Sequence, residues 1–371
     1  MRVLVTGADG FFGRNLSVTL AERGHEVLPF TRQNAIGELA GLVAQADAVA
    51  HLAGANRPAH PEGFTADNID LTAYLVDALK TERSRRRPII FASSTQAVQD
   101  NPYGASKRAA EESLRSAVSF ADVQIYRLPN VFGKWARPFY NSVVATFCHC
   151  AARGETLPVR DRSAHLQLMY IDDAVAAFIG AMEAPLACTI WREPAPVYDT
   201  SVGAVADTIT AIAEGREVLM VPDTGTGLTR ALHATFLSHL PTDRFSYPLV
   251  VHGDPRGTFV EVVKTAAAGQ FSYFTQVAGV RRGGHHHHSK SEKFVVVKGR
   301  ARFRFRHLVT GERVEVEAGA DEPRVVDTIP GWVHDVINLS DEELIVLVWA
   351  NEVFDKERPD TIAGRVDTCA D

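Results

Sequence analysis

Two groups of side chains are able to do chemistry, one in each half of the 371-residue chain. In the first half Tyr103 and Lys107 form a Tyr-x-x-x-Lys pair, preceded by Ser94 and Thr95. Four residues apart on a helix, the pair shares one face. An ammonium beside a phenol lowers the phenol pKa, so the tyrosine can exchange a proton near neutral pH. A hydroxyl at the end of the preceding strand can hydrogen-bond a reacting carbonyl oxygen. Ser94 is the first choice for that role and Thr95 the second. In the second half Gly283-Gly284-His285-His286-His287-His288 is followed by Glu292 and, much later, by His334. Histidines with one residue between them on a strand point to the same face. Three imidazoles and a carboxylate suit zinc, iron, manganese or nickel, and zinc is the choice for chemistry without a redox change. Two registers are open, His285 with His287 or His286 with His288. The first is preferred, which makes His285, His287, Glu292 and His334 the expected ligands.

A third group makes a nucleotide site. Thr6-Gly7-Ala8-Asp9-Gly10-Phe11-Phe12-Gly13 follows an apolar run and opens a helical stretch. Glycines there allow a tight turn, close approach of a pyrophosphate and close helix–strand packing, with the phosphates on free N–H groups of the helix N-terminus. Gly7, Gly10, Phe11, Phe12 and Gly13 are the expected contacts. The next strand ends Leu28-Pro29-Phe30-Thr31-Arg32 without the acid that an NAD enzyme uses to hold the ribose 2′-hydroxyl. Arg32, with Arg14 assisting, can pair with a 2′-phosphate. The expected cofactor is therefore NADPH.

These groups need elements to hold them. Val3–Thr6, Glu26–Phe30, Ala48–His51, Ile89–Ala92 and Val123–Tyr126 are short strand-like runs separated by helical stretches such as Ser106–Val118. That alternation predicts an α/β domain with a doubly wound, Rossmann-type parallel sheet. Past residue 250 the pattern changes to short strands punctuated by Gly, Asp and Pro: Thr258–Val263, Lys293–Val297, Ala301–Arg306, Arg313–Val316, Arg324–Asp327 and Leu344–Trp349. That predicts an all-β sandwich or barrel. The expected division is 1–247, with a substrate lobe from about 130 to 247, and 248–371.

Composition narrows the class. A formal net charge of −6 gives no electrostatic case for nucleic acid or an anionic membrane. No apolar run approaches the roughly 18–20 residues of a membrane span. The N-terminus lacks the apolar stretch of a signal peptide. The four cysteines, Cys148, Cys150, Cys188 and Cys369, suggest no disulfide framework. A cytoplasmic protein without membrane insertion is expected.

With Ser94, Tyr103 and Lys107 downstream of the glycine loop, residues 1–245 resemble the extended short-chain dehydrogenase/reductase family. His51-Leu52-Ala53-Gly54, Arg127-Leu128-Pro129-Asn130-Val131-Phe132-Gly133 and Tyr170-Ile171-Asp172-Asp173 add to the likeness. The resemblance implies hydride transfer between a nicotinamide and a sugar carbon of a nucleotide-linked sugar. Ser94, Tyr103 and Lys107 would be catalytic, Leu52, Ala53 and Lys107 would contact the cofactor, and Asn130 the substrate. Val98-Gln99 departs from the usual tyrosine–glycine pair after the serine. Gly279, His285, His287, Glu292 and Gly299, then Pro330-Gly331, His334 and Asn338, resemble the two signatures of the cupin family, which implies a metal-binding β-barrel (jelly roll). Asp254-Pro255-Arg256-Gly257-Thr258-Phe259-Val260-Glu261 resembles the opening of the cupin-class nucleotide-4-keto-sugar epimerases, with Arg256 expected on a diphosphate or carbonyl oxygen.

Taken together, in this order, the two halves resemble the CapF-type capsular polysaccharide synthesis enzymes over essentially the whole chain. Gln270-Phe271-Ser272-Tyr273-Phe274 and Trp349 through Asp355, continuing to Pro359-Asp360-Thr361, extend the likeness. It implies a bifunctional homodimer. The zinc cupin would epimerise C3 of a UDP-4-keto-6-deoxy-N-acetylhexosamine. The reductase would then reduce C4 with NADPH, toward UDP-N-acetyl-L-fucosamine for capsule or O-antigen. The C3 base stays open between a histidine of the run that binds no metal and Tyr273, and Tyr273 is in either case expected to bind the substrate. Three other readings stay in view: a reductase whose cupin is a non-catalytic dimerisation or binding module, a non-enzymatic NADP sensor, and an iron dioxygenase.

Overall fold

The computed structural model describes residues 1–371 except 57–59, 61–63, 83–84, 185–189, 255–256, 261–262, 266–268, 353–356 and 368–371. Arg256, Cys188 and Cys369 lie outside the described residues. The described α-helices are α1 (Phe11–Glu22), α2 (Glu38–Gln45), α3 (Leu71–Thr81), α4 (Pro102–Arg115), α5 (Val143–Ala151), α6 (Ile171–Glu183), α7 (Val202–Val218) and α8 (Gly227–Ser238). The chain divides into two compact units, 1–132 with 165–200, and 133–164 with 201–371.

In the first unit β1 (Arg2–Thr6), β2 (Glu26–Phe30), β3 (Ala48–His51), β4 (Pro88–Ser94) and β5 (Asp122–Leu128) are the main strands. The short strands β6 (Asn130–Phe132), β7 (His165–Tyr170), β8 (Trp191–Arg192) and β9 (Tyr198–Ser201) follow. The parallel sheet runs β2-β1-β3-β4-β5-β8, the doubly wound sheet expected from the alternating pattern. Its strands read as nearly continuous apolar runs because both faces are covered. Leu4, Val49, Ile89, Phe91 and Ile125 pack against Leu75, Leu79, Ala110 and Leu114 of α3 and α4. Each such Val, Leu, Ile or Phe side chain contributes about 1.5–3 kcal/mol on burial. The strand order reverses between β1 and β3, and sheets of this kind bind ligands outside the strand C-termini at that switch. Both the glycine loop after β1 and Leu52–Ala53 after β3 lie there.

In the second unit β10 (Met220–Val221), β11 (Ser246–Pro248), β12 (Val251–Asp254), β13 (Gly257–Val260), β14 (Lys264–Thr265) and β15 (Gln270–Gln276) lead into the sandwich. β16 (Arg281–His286), β17 (Glu292–Lys298), β18 (Arg300–His307) and β19 (Arg313–Gly319) come next. β20 (Arg324–Asp327), β21 (Trp332–Asn338), β22 (Leu344–Ala350) and β23 (Ile362–Ala363) complete it. Two antiparallel five-stranded sheets result, β11-β20-β17-β22-β15 and β19-β18-β21-β16-β23, the β-rich architecture expected of a cupin. β18 shows the pattern that builds them: Ala301, Phe303 and Phe305 are buried while Arg300, Arg302, Arg304 and Arg306 alternate with them. Phe303 stacks on Phe294 of the facing sheet, ring centroids 5.5 Å apart.

Helices of the expected substrate lobe pack in this second unit. Asp327 of β20 is buried between Lys293 Nζ, at 2.6 Å, and Arg216 of α7. Arg216 also donates to the Arg244 carbonyl at 2.7 Å and lies over the Tyr247 ring. Phe245 packs edge-on against both Phe305 and Trp332. A buried carboxylate with two cations is a connection that resists separation.

Candidate active sites

α4 begins where its sequence demands. The Asn101 side chain accepts from Gly104 N at 2.7 Å, and Pro102 occupies the first turn. Tyr103, Lys107 and Glu111 then follow one another along a single face. Tyr103 is half-buried and hydrogen-bonds the Ser94 side chain. Lys107 Nζ donates to the Ala92 carbonyl at 2.9 Å. Ser94, Tyr103 and Lys107 are thus gathered at the C-terminal end of β4. Thr95 opens the short 3-10 turn beyond.

The electrostatics differ from the expectation in one respect. Burial raises the Tyr103 phenol above its ordinary pKa, and the Ser94 hydrogen bond opposes that rise. Lys107 lies 6.0 Å from the ring centroid with its proton on Ala92, so its charge does not offset the burial. Burial pulls the Lys107 ammonium down to about 8, with Glu111 pulling the other way. Glu111 is itself buried, accepts a hydrogen bond from Ser93, and is held by Arg127 Nε and Nη2 at 2.9 and 2.7 Å.

The glycine loop is closed on itself. Gly7 has φ +71°, and a Cβ on it would fall 2.9 Å from the Ala53 backbone. A Cβ on Gly13 would meet the Gly7 carbonyl oxygen at 2.1 Å. Thr6 Oγ1 accepts from Leu52 N and Ala53 N at 3.2 Å and pairs with His51, tying the two loops together. Gly10 caps α1 without a side-chain bond, and no acidic residue stands in its first turn. This N-terminus fits a phosphate. Phe12 packs on Phe178, and Phe11 is half-buried. Arg14 is exposed. Arg32 is exposed and ion-paired with Asp67 at 3.1 Å. Asn130 is exposed at the head of β6.

In the second unit His285, His287, Glu292 and His334 come together, one ligand atom from each lying within 4.8 Å of the others. Glu292 Oε2 is 3.2 Å from His287 Nε2 and 3.7 Å from His334 Nε2. His285 and His334 rings stand 4.7 Å apart. Burial, with His287 nearby, lowers His285 to about 4. Burial and the two neighbouring histidines hold His334 well below its ordinary value. Burial would raise the Glu292 pKa, but the contact with His287 and the nearby Lys290 ammonium hold it far below the usual carboxylate range. Neutral imidazoles and an ionised carboxylate are the forms that bind a metal. His334 Nε2 is buried without a hydrogen-bond partner, the state expected of a donor atom meant for an ion. The donor set fits a divalent transition metal.

Tyr273 is not brought to this cluster. Phe274 packs toward Phe294, whose ring lies beside His334. Its neighbour Tyr273 therefore points to the opposite face of β15 and is 70% exposed. Asn338 of the second cupin signature holds a turn, donating to the Gln276 and Glu342 carbonyls and accepting from Ser340 N.

Two family descriptions match the chain: the NAD dependent epimerase/dehydratase family over residues 3–188 and the polysaccharide biosynthesis C-terminal domain over residues 252–362. Across 369 residues, 99% of each chain, it is 50% identical to the UDP-2-acetamido-2,6-beta-L-arabino-hexul-4-ose reductase of Pseudomonas aeruginosa. The capsular polysaccharide assembling protein CapF from Staphylococcus aureus, a crystal structure, is 39% identical, covering 99% of this chain and 100% of its own, with a TM-score of 0.67. The chain belongs to the CapF family. A UDP-N-acetylglucosamine 4-epimerase from Bacillus cereus, 22% identical with a TM-score of 0.51 over 58% of this chain and 82% of its own, shares the fold of the first part. Membership in the CapF family implies a nicotinamide cofactor.

Residues to which the sequence assigned no role complete this CapF-family site. Lys290 Nζ holds Glu292 Oε1 at 2.7 Å. Asp360 accepts the backbone N–H groups of His288, Ser289 and Lys290, and its carbonyl oxygen accepts from His287 Nδ1. Lys290 had a signal, standing two residues before a ligand. Asp360 stood in the Pro359-Asp360-Thr361 stretch of the likeness, but nothing local gave its role, because it lies 72 residues from its partner His288. Glu111 was legible as the next same-face position after Lys107.

Proposed function

We propose that this chain is a bifunctional nucleotide-sugar enzyme. Its cupin part epimerises C3 of a UDP-4-keto-6-deoxy-N-acetylhexosamine, and its reductase part then reduces C4, toward UDP-N-acetyl-L-fucosamine. The observation that carries the reading is the gathering of Ser94, Tyr103 and Lys107 in a chain half identical, end to end, to a UDP-4-keto-sugar reductase. The cluster of three histidines and Glu292 supports the epimerase half.

Bound NADPH supplies the hydride for C4. Ser94 holds the carbonyl oxygen, and Tyr103 delivers the proton that oxygen takes up. Lys107 lies on the same helix face, its ammonium held by the Ala92 carbonyl, where it would contact the bound cofactor. Gly7, Gly10 and Gly13 let the pyrophosphate approach the α1 N-terminus, and Arg32 exchanges Asp67 for a 2′-phosphate. At the cupin site His285, His287, Glu292 and His334 would hold a divalent metal, Zn2+ in this reading, which supplies Lewis-acid stabilisation of negative charge on the C4 oxygen. A C4 ketone acidifies the C3–H, and its reduction removes that acidity. Reduction therefore locks in the epimerised centre.

The same reading makes the protein a homodimer. The outward residues Phe271 and Tyr273 on β15, 49% and 70% exposed at a sheet edge, support an association surface. A cytoplasmic setting follows from the substrates. Among the described residues no helix is long and apolar enough to cross a membrane.

Incubating the protein with the UDP-4-keto sugar in heavy water, with and without NADPH, tests both halves by NMR. Deuterium at C3 without cofactor, and C4 reduction once NADPH is added, is the expected result. Reduction without C3 exchange would leave a reductase with a non-catalytic cupin.

A further inference from the structure

Glu292 gives its two oxygens to different neighbours. Oε2 faces the histidines, while Oε1 is held by the Lys290 ammonium at 2.7 Å. Lys290 is buried, and its backbone is fixed as firmly as its side chain. The N–H groups of His288, Ser289 and Lys290 donate to the Asp360 carboxylate at 2.8, 2.7 and 2.7 Å. The backbone carbonyl of the same Asp360 accepts from His287 Nδ1, which orients His287 with Nε2 toward Glu292. One residue therefore fixes both the ring of an expected ligand and the loop that carries Lys290.

A carboxylate whose second oxygen is engaged by a buried ammonium is not free to turn that oxygen onto an ion. We propose that Lys290 is a positioning residue for the metal centre: it restricts Glu292 to one-oxygen ligation through Oε2 and so keeps a coordination position open for an oxygen of the substrate. This rests on the reading that His285, His287, Glu292 and His334 bind a divalent metal. The function follows from coordination number. Four protein donor atoms leave about two positions of an octahedral ion to water or substrate, and five leave about one. A substrate held through a single ketone oxygen needs one position, and the second lets it enter before water leaves.

Full-length protein stripped with a chelator and reloaded with Mn2+ tests this through water-proton relaxation, which reads the number of exchangeable waters on the ion. The wild type should give strong enhancement. Lys290→Met should bind Mn2+ with the enhancement reduced to about half, one water position of two being taken by Oε1. Lys290→Arg should restore the wild-type value. Equal enhancement in the wild type and Lys290→Met overturns the proposal while leaving the metal reading intact. Absence of Mn2+ and Zn2+ binding by the wild type removes the metal reading and the proposal with it. A crystal structure of the Zn2+-loaded wild type decides the matter even if Lys290→Met does not fold. Oε2 alone on the ion with Oε1 on Lys290 supports the proposal, and both oxygens on the ion overturn it.

Discussion

His285 stands directly opposite His334 on neighbouring antiparallel strands, because the β16 ladder is broken between Gly283 and His285. Gly283 pairs with Asp335, Gly284 is left over, and His285 takes the place across from His334. Both glycines have positive φ, +92° and +81°, the backbone of a glycine bulge. In an unbroken ladder Gly284 would face His334, and His286 and His288 would share its side. The bulge turns His285 and His287 inward instead.

The register is tested by single substitutions. His285→Ala and His287→Ala should each lower metal affinity by more than the roughly 10–100-fold typical of an outer partner. His286→Ala and His288→Ala should retain the metal. Metal content after dialysis, with circular dichroism as the folding control, reads all four. Loss of metal from the second pair alone would reverse the assignment.

The hydrogen bond between Ser94 and Tyr103 lowers a phenol that burial has raised. Ser94→Ala removes the opposing influence, so the Tyr103 pKa should rise further. The alkaline limb of the kcat profile for NADPH oxidation should move to higher pH, with kcat down about 10²–10⁴-fold. Tyr103→Phe should abolish reduction while C3 deuterium exchange continues.

Lys107 sets activity against stability. Its pKa falls from 10.5 to about 8 on folding, so the unfolded chain binds more protons between those values and stability rises with pH across them. Below pH 8 the full penalty is present. Lys107→Met should therefore stabilise the protein at pH 7 by about 1–2 kcal/mol, after the lost bond to Ala92 is discounted, and should abolish turnover. The gain should fade between pH 8 and 10.5 in thermal denaturation.

Asp327 is buried with Lys293 and Arg216 as its counterions. Asp327→Asn leaves both cations without their carboxylate and should cost about 3–5 kcal/mol of stability, read from the urea midpoint.

Arg32 is paired with Asp67 on the surface and is expected to change partner when a 2′-phosphate binds. Arg32→Ala should raise KM for NADPH about 10-fold, corresponding to a charge-assisted bond of roughly 1.5 kcal/mol, and leave KM for NADH nearly unchanged. Equal effects on both cofactors would show that Arg32 does not read the 2′ position.

Much was legible in the chain because it is written in local order. The alternation of apolar runs and helical stretches specifies the parallel sheet, since strands buried on both faces must be continuously apolar. The alternation of Phe and Arg along β18 specifies one wall of the sandwich. Tyr103 and Lys107 could be placed on one helix face by spacing alone, and the glycine loop by its position between a strand and a helix. Other features depend on residues distant in sequence. The choice of His285 and His287 over their neighbours rests on a bulge, and bulging depends on the partner strand at Asp335 and His334. The elevation of the Tyr103 pKa rests on how deeply α4 packs, which spacing does not reveal. That α7 joins the sandwich through Arg216 rests on a carboxylate 111 residues away. Periodicity records which way a side chain faces along one element; register, burial depth and ion pairing arise only when a second element arrives beside it.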